Sequence, residues 1–394
     1  MVIVEGMNDP SVITSTPELA AFCAEAAREA FVTVDTEFIR EKTYFPQLCL
    51  VQVATTTEAR AIDPLAPGID LAPLVQLLAN PAVLKVFHAC RQDMEIFYHL
   101  SGTLPAPVFD TQSAAQFAGF GESVSYSEFI RKTLNIGIDK ASRFTDWARR
   151  PLSDKQITYA LDDVIHLRDA FLILKAQLEK SGRMQWVEDE MATLNNIATY
   201  KPDPDTVWLK LKAGNMKPKQ LACLRSVARW REQEAIRKDV PRSRVVRDET
   251  LLEIASAMPH SADELHHIRG TGQINPHAAQ GLLAAVEAAR ASPPETWPKA
   301  AARNRPDVPE DALALLQMLL SVQCHQHGIL PRLVATRDEM EALIHGQTNL
   351  PCLRDWRLKI FGEAAQRLLA GKMRLAYDPL KKEAVLEKSK EDER

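Results

Sequence analysis

Hydrophobic and polar positions follow two different patterns along this chain, and the change falls near residue 200. Before it, short runs of β-branched and aromatic residues alternate with segments of helical spacing. The runs predict strands at 31–39, 48–53, 59–63, 83–88 and 107–110, and the helical segments lie at 17–30, 71–79, 92–100 and 111–117. The pattern then stays helical to about residue 196. This alternation predicts an α/β domain over residues 1–200.

After the Pro- and Asp-rich segment 200–206 the strand pattern disappears. Two helical domains are predicted, at 207–290 and 305–378, on either side of a proline-rich linker. They look like copies, because Val240-Pro241 precedes Arg247-Asp248-Glu249 and, 90 residues later, Leu330-Pro331 precedes Arg337-Asp338-Glu339. The end, 381–394, mixes both charges densely and is predicted to be a frayed tail.

The predicted strand at 31–39 carries an unusual acidic pair. Asp35 and Glu37 are two residues apart, so on a strand both side chains point to the same face. A solvated edge strand is one interpretation. The apolar flanks favour a central strand, where two like charges need a cation between them, and carboxylate oxygens suit Mg²⁺ or Mn²⁺.

Further acidic positions add to this pair. Asp93 follows the strand at 83–88, where α/β proteins place ligands, although the helix dipole alone also explains an acid there. Farther along, Tyr159 precedes Asp162 by three residues and Asp163 by four on a predicted helix. Spacing does not choose between these aspartates, and a solvated acidic pair is the alternative. Four carboxylates together suit two Mg²⁺ ions about 3.5–4 Å apart, which perform in-line displacement at phosphorus.

Three short motifs resemble those of the DEDD exonuclease superfamily: Val34-Asp35-Thr36-Glu37-Phe38, His88 with Asp93, and Tyr159-Ala160 with Asp163-Val164. The tyrosine four residues before the last aspartate marks the DEDDy branch, and the motif matches Asp163 rather than Asp162. Other segments resemble the ribonuclease D family more narrowly, namely Arg40–Leu48, Asp139-Lys140 and Asp146–Leu152. The resemblance implies an α/β, ribonuclease H-like mixed-sheet exonuclease domain followed by two all-α HRDC-like domains.

The resemblance also implies an activity, that of a 3′→5′ exoribonuclease that trims tRNA precursors and other structured RNAs and releases nucleoside 5′-monophosphates. Asp35 would bridge two divalent ions, Glu37 and Asp163 would complete the first ion's site, and Asp93 would support the second, partly through water. Tyr159 would orient the attacking water or take its proton, and orientation is favoured because a free tyrosine titrates near pH 10. His88 is expected to be a core or supporting histidine beside this site. The implied partner is RNA with a free single-stranded 3′ end, and the family resemblance suggests a monomer.

The stretch from Val207 to Arg247 is strongly basic in a chain of net charge −4. It holds twelve lysines and arginines and three acidic residues, for a net charge of +9. This asymmetry predicts a surface for a phosphate backbone, with a merely solvated helical face as the alternative. The residues predicted to bind RNA are Lys210, Lys212, Lys217, Lys219, Arg225, Arg229, Arg242 and Arg244. The second helical copy is not comparably basic, so we expect the first copy to do most of the binding.

The rest of the composition bears on the cellular compartment and on the alternative functions. Six scattered cysteines without a Cys-x-x-Cys pair fit a reducing compartment and not a zinc cluster. No apolar run could span a bilayer and no signal-peptide pattern is seen, so a cytoplasmic location is expected. Two alternatives stay open, a DNA 3′→5′ exonuclease and a nucleic-acid-binding module with an inactive catalytic domain. The complete set of acids argues against the inactive module, and the HRDC-like repeats argue against the DNA enzyme.

Overall fold

The computed structural model describes residues 11–138, 145–272, 274–298 and 308–388. Its main sheet has six strands: β1 (Val12–Ile13), β2 (Phe31–Ile39), β3 (Gln47–Ala54), β4 (Ala59–Ile62), β5 (Leu84–Phe87) and β6 (Val108–Asp110). Their order across the sheet is β1-β4-β3-β2-β5-β6. β2 pairs antiparallel with β3 and parallel with β5, so the sheet is mixed, which confirms the predicted fold class. The two-residue β1 was not predicted, because so short a strand shows no alternation.

β2 lies between β3 and β5, which excludes the edge-strand interpretation of its acidic pair. Val32 and Val34 are fully buried in the apolar core on one face of the strand. Because side chains alternate, Asp35 and Glu37 lie on the opposite face. The register places Asp35 opposite Gln52 of β3. An internal strand therefore carries both acids on one rigid surface.

The helices before residue 120 begin within one residue of the predicted positions, although the first ends at Ala26 rather than at residue 30. The pattern predicted to stay helical to about residue 196 is interrupted, because residues 145–153 form no helix. The helices of the α/β part are α1 (Thr16–Ala26), α2 (Ala72–Ala79), α3 (Arg91–Ser101), α4 (Thr111–Ala115), α5 (Tyr126–Leu134), α6 (Asp154–Lys180) and α7 (Met184–Leu194). The later helices are α8 (Pro218–Lys238), α9 (Arg242–Val245), α10 (Asp248–Ala257), α11 (Ala262–His266), α12 (Pro276–Ala291), α13 (Glu310–His327), α14 (Pro331–Val334), α15 (Arg337–Ile344), α16 (Asp355–Arg357) and α17 (Glu363–Leu369). Single 3₁₀ turns lie at Gln116–Ala118, Ile197–Thr199, Val207–Lys210, Pro294–Thr296 and Pro351–Leu353, and a π turn lies at Leu358–Gly362.

The first half of α6 packs on the face of the sheet that carries Asp35. Ala160 is fully buried there against Leu50 and Ala61. The Thr33 hydroxyl donates a hydrogen bond of 2.8 Å to the carbonyl oxygen of Val164. These contacts fix the position of α6 relative to β2. They therefore determine which side chains of α6 lie beside the acidic pair.

The described residues divide into two compact units. One takes in residues 11–109, 145–168, 192–272 and 274–298, and the remaining described residues form the other. The first unit has an apolar core around the sheet and a second core among α8, α10 and α12. In the second unit α13, α14 and α15 repeat the order of long, short and medium helix seen in α8, α9 and α10. This order supports the predicted repeat, whereas the domain boundaries stay predictions.

The prediction of purely helical structure after residue 206, with a frayed end from 381, is wrong at one place. Met373–Asp378 (β7) and Glu383–Lys388 (β8) pair as an antiparallel hairpin. Its strands are short and carry charges at many positions, so the composition resembles a solvated tail more than a strand. Cross-strand pairing, which the composition does not reveal, determines the structure there.

Candidate metal centre

Three of the four predicted carboxylates meet where β2 faces α6. Oxygens of Asp35, Glu37 and Asp163 all lie within 4.8 Å of one another. Asp163 is 8% exposed, and the other two residues are half-buried. Asp162, its neighbour on α6, is not part of this group. The orientation of α6 therefore brings Asp163 to the acidic pair, whereas the sequence spacing alone did not distinguish Asp163 from Asp162.

Acidic groups this close repel each other, and burial makes their charged forms costlier still. Burial and the neighbouring charge of Asp163 raise the pKa of Asp35 well above its ordinary range. Burial also raises the pKa of Asp163, although the hydrogen bond from Tyr159 acts in the opposite direction. A divalent cation would favour the ionised form of both groups. Since all the donors are carboxylate oxygens, the group fits a hard cation of the Mg²⁺ or Mn²⁺ type.

Tyr159 lies one helical turn before Asp163 and hydrogen-bonds to its carboxylate. Its ring centroid lies 6.2 Å from that of the buried Trp147. Burial, together with the charges of Asp163, Glu37 and Asp35, raises the pKa of the Tyr159 hydroxyl above its ordinary value. The hydroxyl of Tyr159 is therefore protonated in the metal-free site and can act as a hydrogen-bond donor.

Asp93 is placed differently from the other three acids. It lies in the first turn of α3, is 6% exposed and is not part of the three-carboxylate group. Its carboxylate accepts a hydrogen bond from the hydroxyl of Thr36, whose side chain points to the other face of β2. Asp93 therefore does not join the group in which the oxygens of the other three acids lie within 4.8 Å of one another. A role for Asp93 through an intervening water stays a prediction.

An ion pair fixes α3 to the end of β2. Arg40 donates two hydrogen bonds, of 2.7 and 2.8 Å, to the carboxylate of Glu95 on α3. His88 follows β5 and is half-buried, and its supporting role stays a prediction. The family-like residues Asp139 and Lys140 lie outside the described residues.

Arg150 holds the segment before α6 against the sheet. Its guanidinium donates two hydrogen bonds of 2.7 Å to Asp63, which follows β4, and one of 2.6 Å to the Cys49 carbonyl. It also donates to the carbonyl of Trp147 at 2.7 Å, which places that ring beside Tyr159. Sequence reasoning noted Arg150 only as part of a family-like motif. It missed Asp63, because a partner 87 residues away leaves no local signal.

The eight residues predicted to bind RNA fall into two groups. Five are exposed and form no ion pair with another described residue, namely Lys210, Lys212, Lys217, Lys219 and Arg244. The other three are already engaged within the protein. Arg225 donates to the carbonyl of Thr296 at 3.2 Å, Arg229 pairs with Asp205, and Arg242 pairs with Glu232. The exposed five are the better candidates for contacts with phosphate.

Arg242 belongs to a buried contact between the β2–β3 loop and the helices that follow residue 207. The carboxylate of Glu232 is fully buried and accepts hydrogen bonds from Arg242 and from the Tyr44 hydroxyl. The Arg242 guanidinium also lies 5.0 Å from the centre of the Tyr44 ring. Asp239 accepts hydrogen bonds of 3.0 Å from the backbone N–H groups of Tyr44 and Phe45. We name these five residues the Tyr44 contact.

Comparisons with known proteins agree with the fold and with the acidic site. Residues 10–179 match the family model of the 3′-5′ exonuclease domain, and residues 220–284 match that of the HRDC domain. Fold and site thus define a 3′→5′ exonuclease with an appended HRDC domain. Ribonuclease D of Gluconacetobacter diazotrophicus is 46% identical over 95% of this chain and 96% of its own length, and that of Granulibacter bethesdensis is 45% identical over 94% and 95%. The chain belongs to the ribonuclease D family and is an exoribonuclease.

A solved structure supports this assignment. The crystal structure of Escherichia coli RNase D, described as an exoribonuclease involved in structured RNA processing, matches with a TM-score of 0.81 at 31% identity. The match covers 91% of this chain and 98% of that one. Across the described residues, no helix has the length and apolar character needed to cross a membrane.

Proposed function

We propose that this chain shortens structured RNAs, tRNA precursors among them, from single-stranded 3′ ends and releases nucleoside 5′-monophosphates. The observation that carries the proposal is the group formed by Asp35, Glu37 and Asp163 on an internal strand and the facing helix of a ribonuclease D family member. Three clustered, mutually repelling carboxylates are costly for a fold and are useful to a metal-dependent hydrolase. An inactive binding module would have no need to keep them.

Asp35, Glu37 and Asp163 are proposed to hold two divalent ions, Mg²⁺ or Mn²⁺, with Asp93 supporting the second through water. When bound, such ions supply Lewis acidity toward water and the scissile phosphate. The protein keeps Asp35 and Glu37 on one face of β2 and brings Asp163 to them on α6. The Tyr159 hydroxyl orients the attacking water, and Trp147 holds the tyrosine ring in place.

RNA is proposed to bind the first HRDC-like domain, residues 207–290, through its exposed cations. The second, residues 305–378, would contribute less because it is less basic. Association would be driven mainly by phosphate contacts, since no base-reading motif is present in the sequence. We further infer a monomer acting in the cytoplasm; the six cysteines are all buried and free, which fits a reducing compartment.

A DNA exonuclease is the competing proposal, because RNA and DNA share the bond that the carboxylates act on. The ribonuclease D relatives favour RNA. The test is release of 5′-monophosphates from a labelled single-stranded RNA and a matched DNA, with Mg²⁺ or with EDTA. We expect stepwise, metal-dependent shortening of the RNA. Equal or faster loss of the DNA would support the competing proposal, and no shortening with any divalent metal would contradict both.

A further inference from the structure

Gln52 is a buried amide beside the acidic group. It is 0% exposed, and neither its Nε2 nor its Oε1 has a hydrogen-bond partner among the described residues. Buried polar side-chain atoms are usually paired, because an unpaired one has lost its hydrogen bonds to water without replacement. An apolar residue of similar size would suit this position better if packing were its only purpose.

The sheet register defines what Gln52 faces. Val51 and Val53, on either side of it in β3, point into the apolar core. Gln52 therefore points to the other face, where its direct cross-strand neighbour on β2 is Asp35. Directly opposed residues of antiparallel strands have Cβ atoms about 4.5–5.5 Å apart, so the amide is within reach of that carboxylate.

We propose that Gln52 is a positioning residue of the metal centre. Its Nε2–H donates a hydrogen bond to the Asp35 carboxylate when a divalent cation is bound, and so fixes the orientation in which Asp35 holds the ion. A carboxamide supplies a donor without adding a fourth negative charge, as a glutamate would. Groups that hydrogen-bond to metal-binding carboxylates orient these carboxylates and raise their affinity for the ion. This inference rests on the proposed metal-binding role of Asp35.

The test replaces the amide by an apolar side chain of similar length, Gln52→Met. Without metal, in EDTA, we expect the melting temperature of the variant to equal or exceed that of the wild type, because an unpaired buried amide is removed. Its dissociation constant for Mn²⁺, measured by calorimetry, should rise about 10-fold or more. Nucleotide release by the variant should recover when the Mn²⁺ concentration is raised.

Val53→Ala is the matched control, since it changes the adjacent residue of β3 on the opposite face. It should lower the melting temperature and leave the Mn²⁺ affinity unchanged. Unchanged Mn²⁺ affinity in Gln52→Met would overturn the inference, whatever the melting temperature does.

Asp35→Ala separates the proposed function from the proposed role of Gln52. If this variant binds Mn²⁺ as the wild type does, the proposed function fails and the role of Gln52 fails with it; if it loses Mn²⁺ while Gln52→Met does not, only the role of Gln52 is wrong.

Discussion

At the scale of single residues, the site depends on where chemically similar groups are placed. Asp162 and Asp163 are adjacent on α6, yet only Asp163 joins Asp35 and Glu37. The sequence could predict the strand pair, because a two-residue spacing fixes a common face. It could not predict that Thr36 engages Asp93, because that contact depends on how α3 packs beside β2. Side-chain contacts made across the fold leave no local pattern to read.

Tyr159 provides a prediction at this scale. Tyr159→Phe keeps the ring against Trp147 and removes only the hydroxyl. A hydrogen bond in a charged site is worth about 1.5–3 kcal/mol, so kcat should fall about 10- to 100-fold. Because the same hydroxyl also hydrogen-bonds to Asp163, the rate is measured at saturating Mn²⁺, so that weaker binding of the ion does not contribute to the loss. Steady-state release of 5′-monophosphates measures the rate, with Tyr98→Phe on α3 as the control. A variant as fast as the wild type would contradict the orienting role.

At the scale of elements, β2 is the part that the sequence predicted best. Its nine residues were predicted with the bounds that are observed, because β-branched and aromatic residues run through it without Gly or Pro. The hairpin β7–β8 was not predicted, because its strands are charged and are stabilised by pairing with each other. The ion pair between Arg150 and Asp63 was not predicted for a related reason, because it joins segments that are far apart in the chain.

The Tyr44 contact allows a stability prediction at this scale. Glu232→Gln removes the carboxylate that Arg242 and Tyr44 share, and leaves the arginine without its counter-charge. Because the Arg242 side chain is 41% exposed and can be hydrated, the loss should be moderate, about 1–3 kcal/mol in the free energy of unfolding. Urea unfolding measures it. Glu249→Gln, at an exposed position of α10, is the control. An equal loss of stability in both variants would contradict a stabilising role of the Tyr44 contact.

The same contact predicts a pH dependence. Burial would raise the pKa of Glu232, but the hydrogen bonds from Arg242 and Tyr44 and the charges of Arg242 and Arg231 lower it below its ordinary value. A carboxyl group with a lowered folded-state pKa stabilises the fold above its unfolded pKa, near 4.3, and this stabilisation is lost as the pH falls through the folded value. The difference in melting temperature between wild type and Glu232→Gln should therefore be full at pH 6 and shrink below about pH 4. A difference that stays constant across this range would contradict the explanation.

At the scale of the whole molecule, charge is distributed unevenly. The chain carries a net charge of −4, yet the stretch from Val207 to Arg247 carries +9. Composition could predict this asymmetry but not which cations are available, because Arg229 and Arg242 are paired within the protein. The structure leaves four exposed lysines near the start of α8, at positions 210, 212, 217 and 219.

Binding of RNA should therefore depend steeply on salt. Changing these four lysines together to glutamine should weaken binding. It should also flatten the plot of log K against log salt by about 0.7 for each phosphate of a single strand that the protein no longer neutralises. Fluorescence anisotropy with catalytically inactive protein measures the slope without degradation of the RNA. Arg229→Gln is the matched control and should change the slope little. A flat salt response in the starting protein would mean that phosphate contacts do not drive binding.

The central claim is that the group on β2 and α6 performs the hydrolysis, and two adjacent aspartates allow it to be tested. Release of 5′-monophosphates from single-stranded RNA in Mg²⁺ should be compared for wild type, Asp163→Asn and Asp162→Asn. Both variants remove one negative charge from the same turn of α6. We predict that Asp163→Asn loses at least about 100-fold in rate, since metal-ion stabilisation is worth several kcal/mol, while Asp162→Asn stays within a few-fold of wild type. Equal losses in the two variants, or an active Asp163→Asn, would contradict the claim.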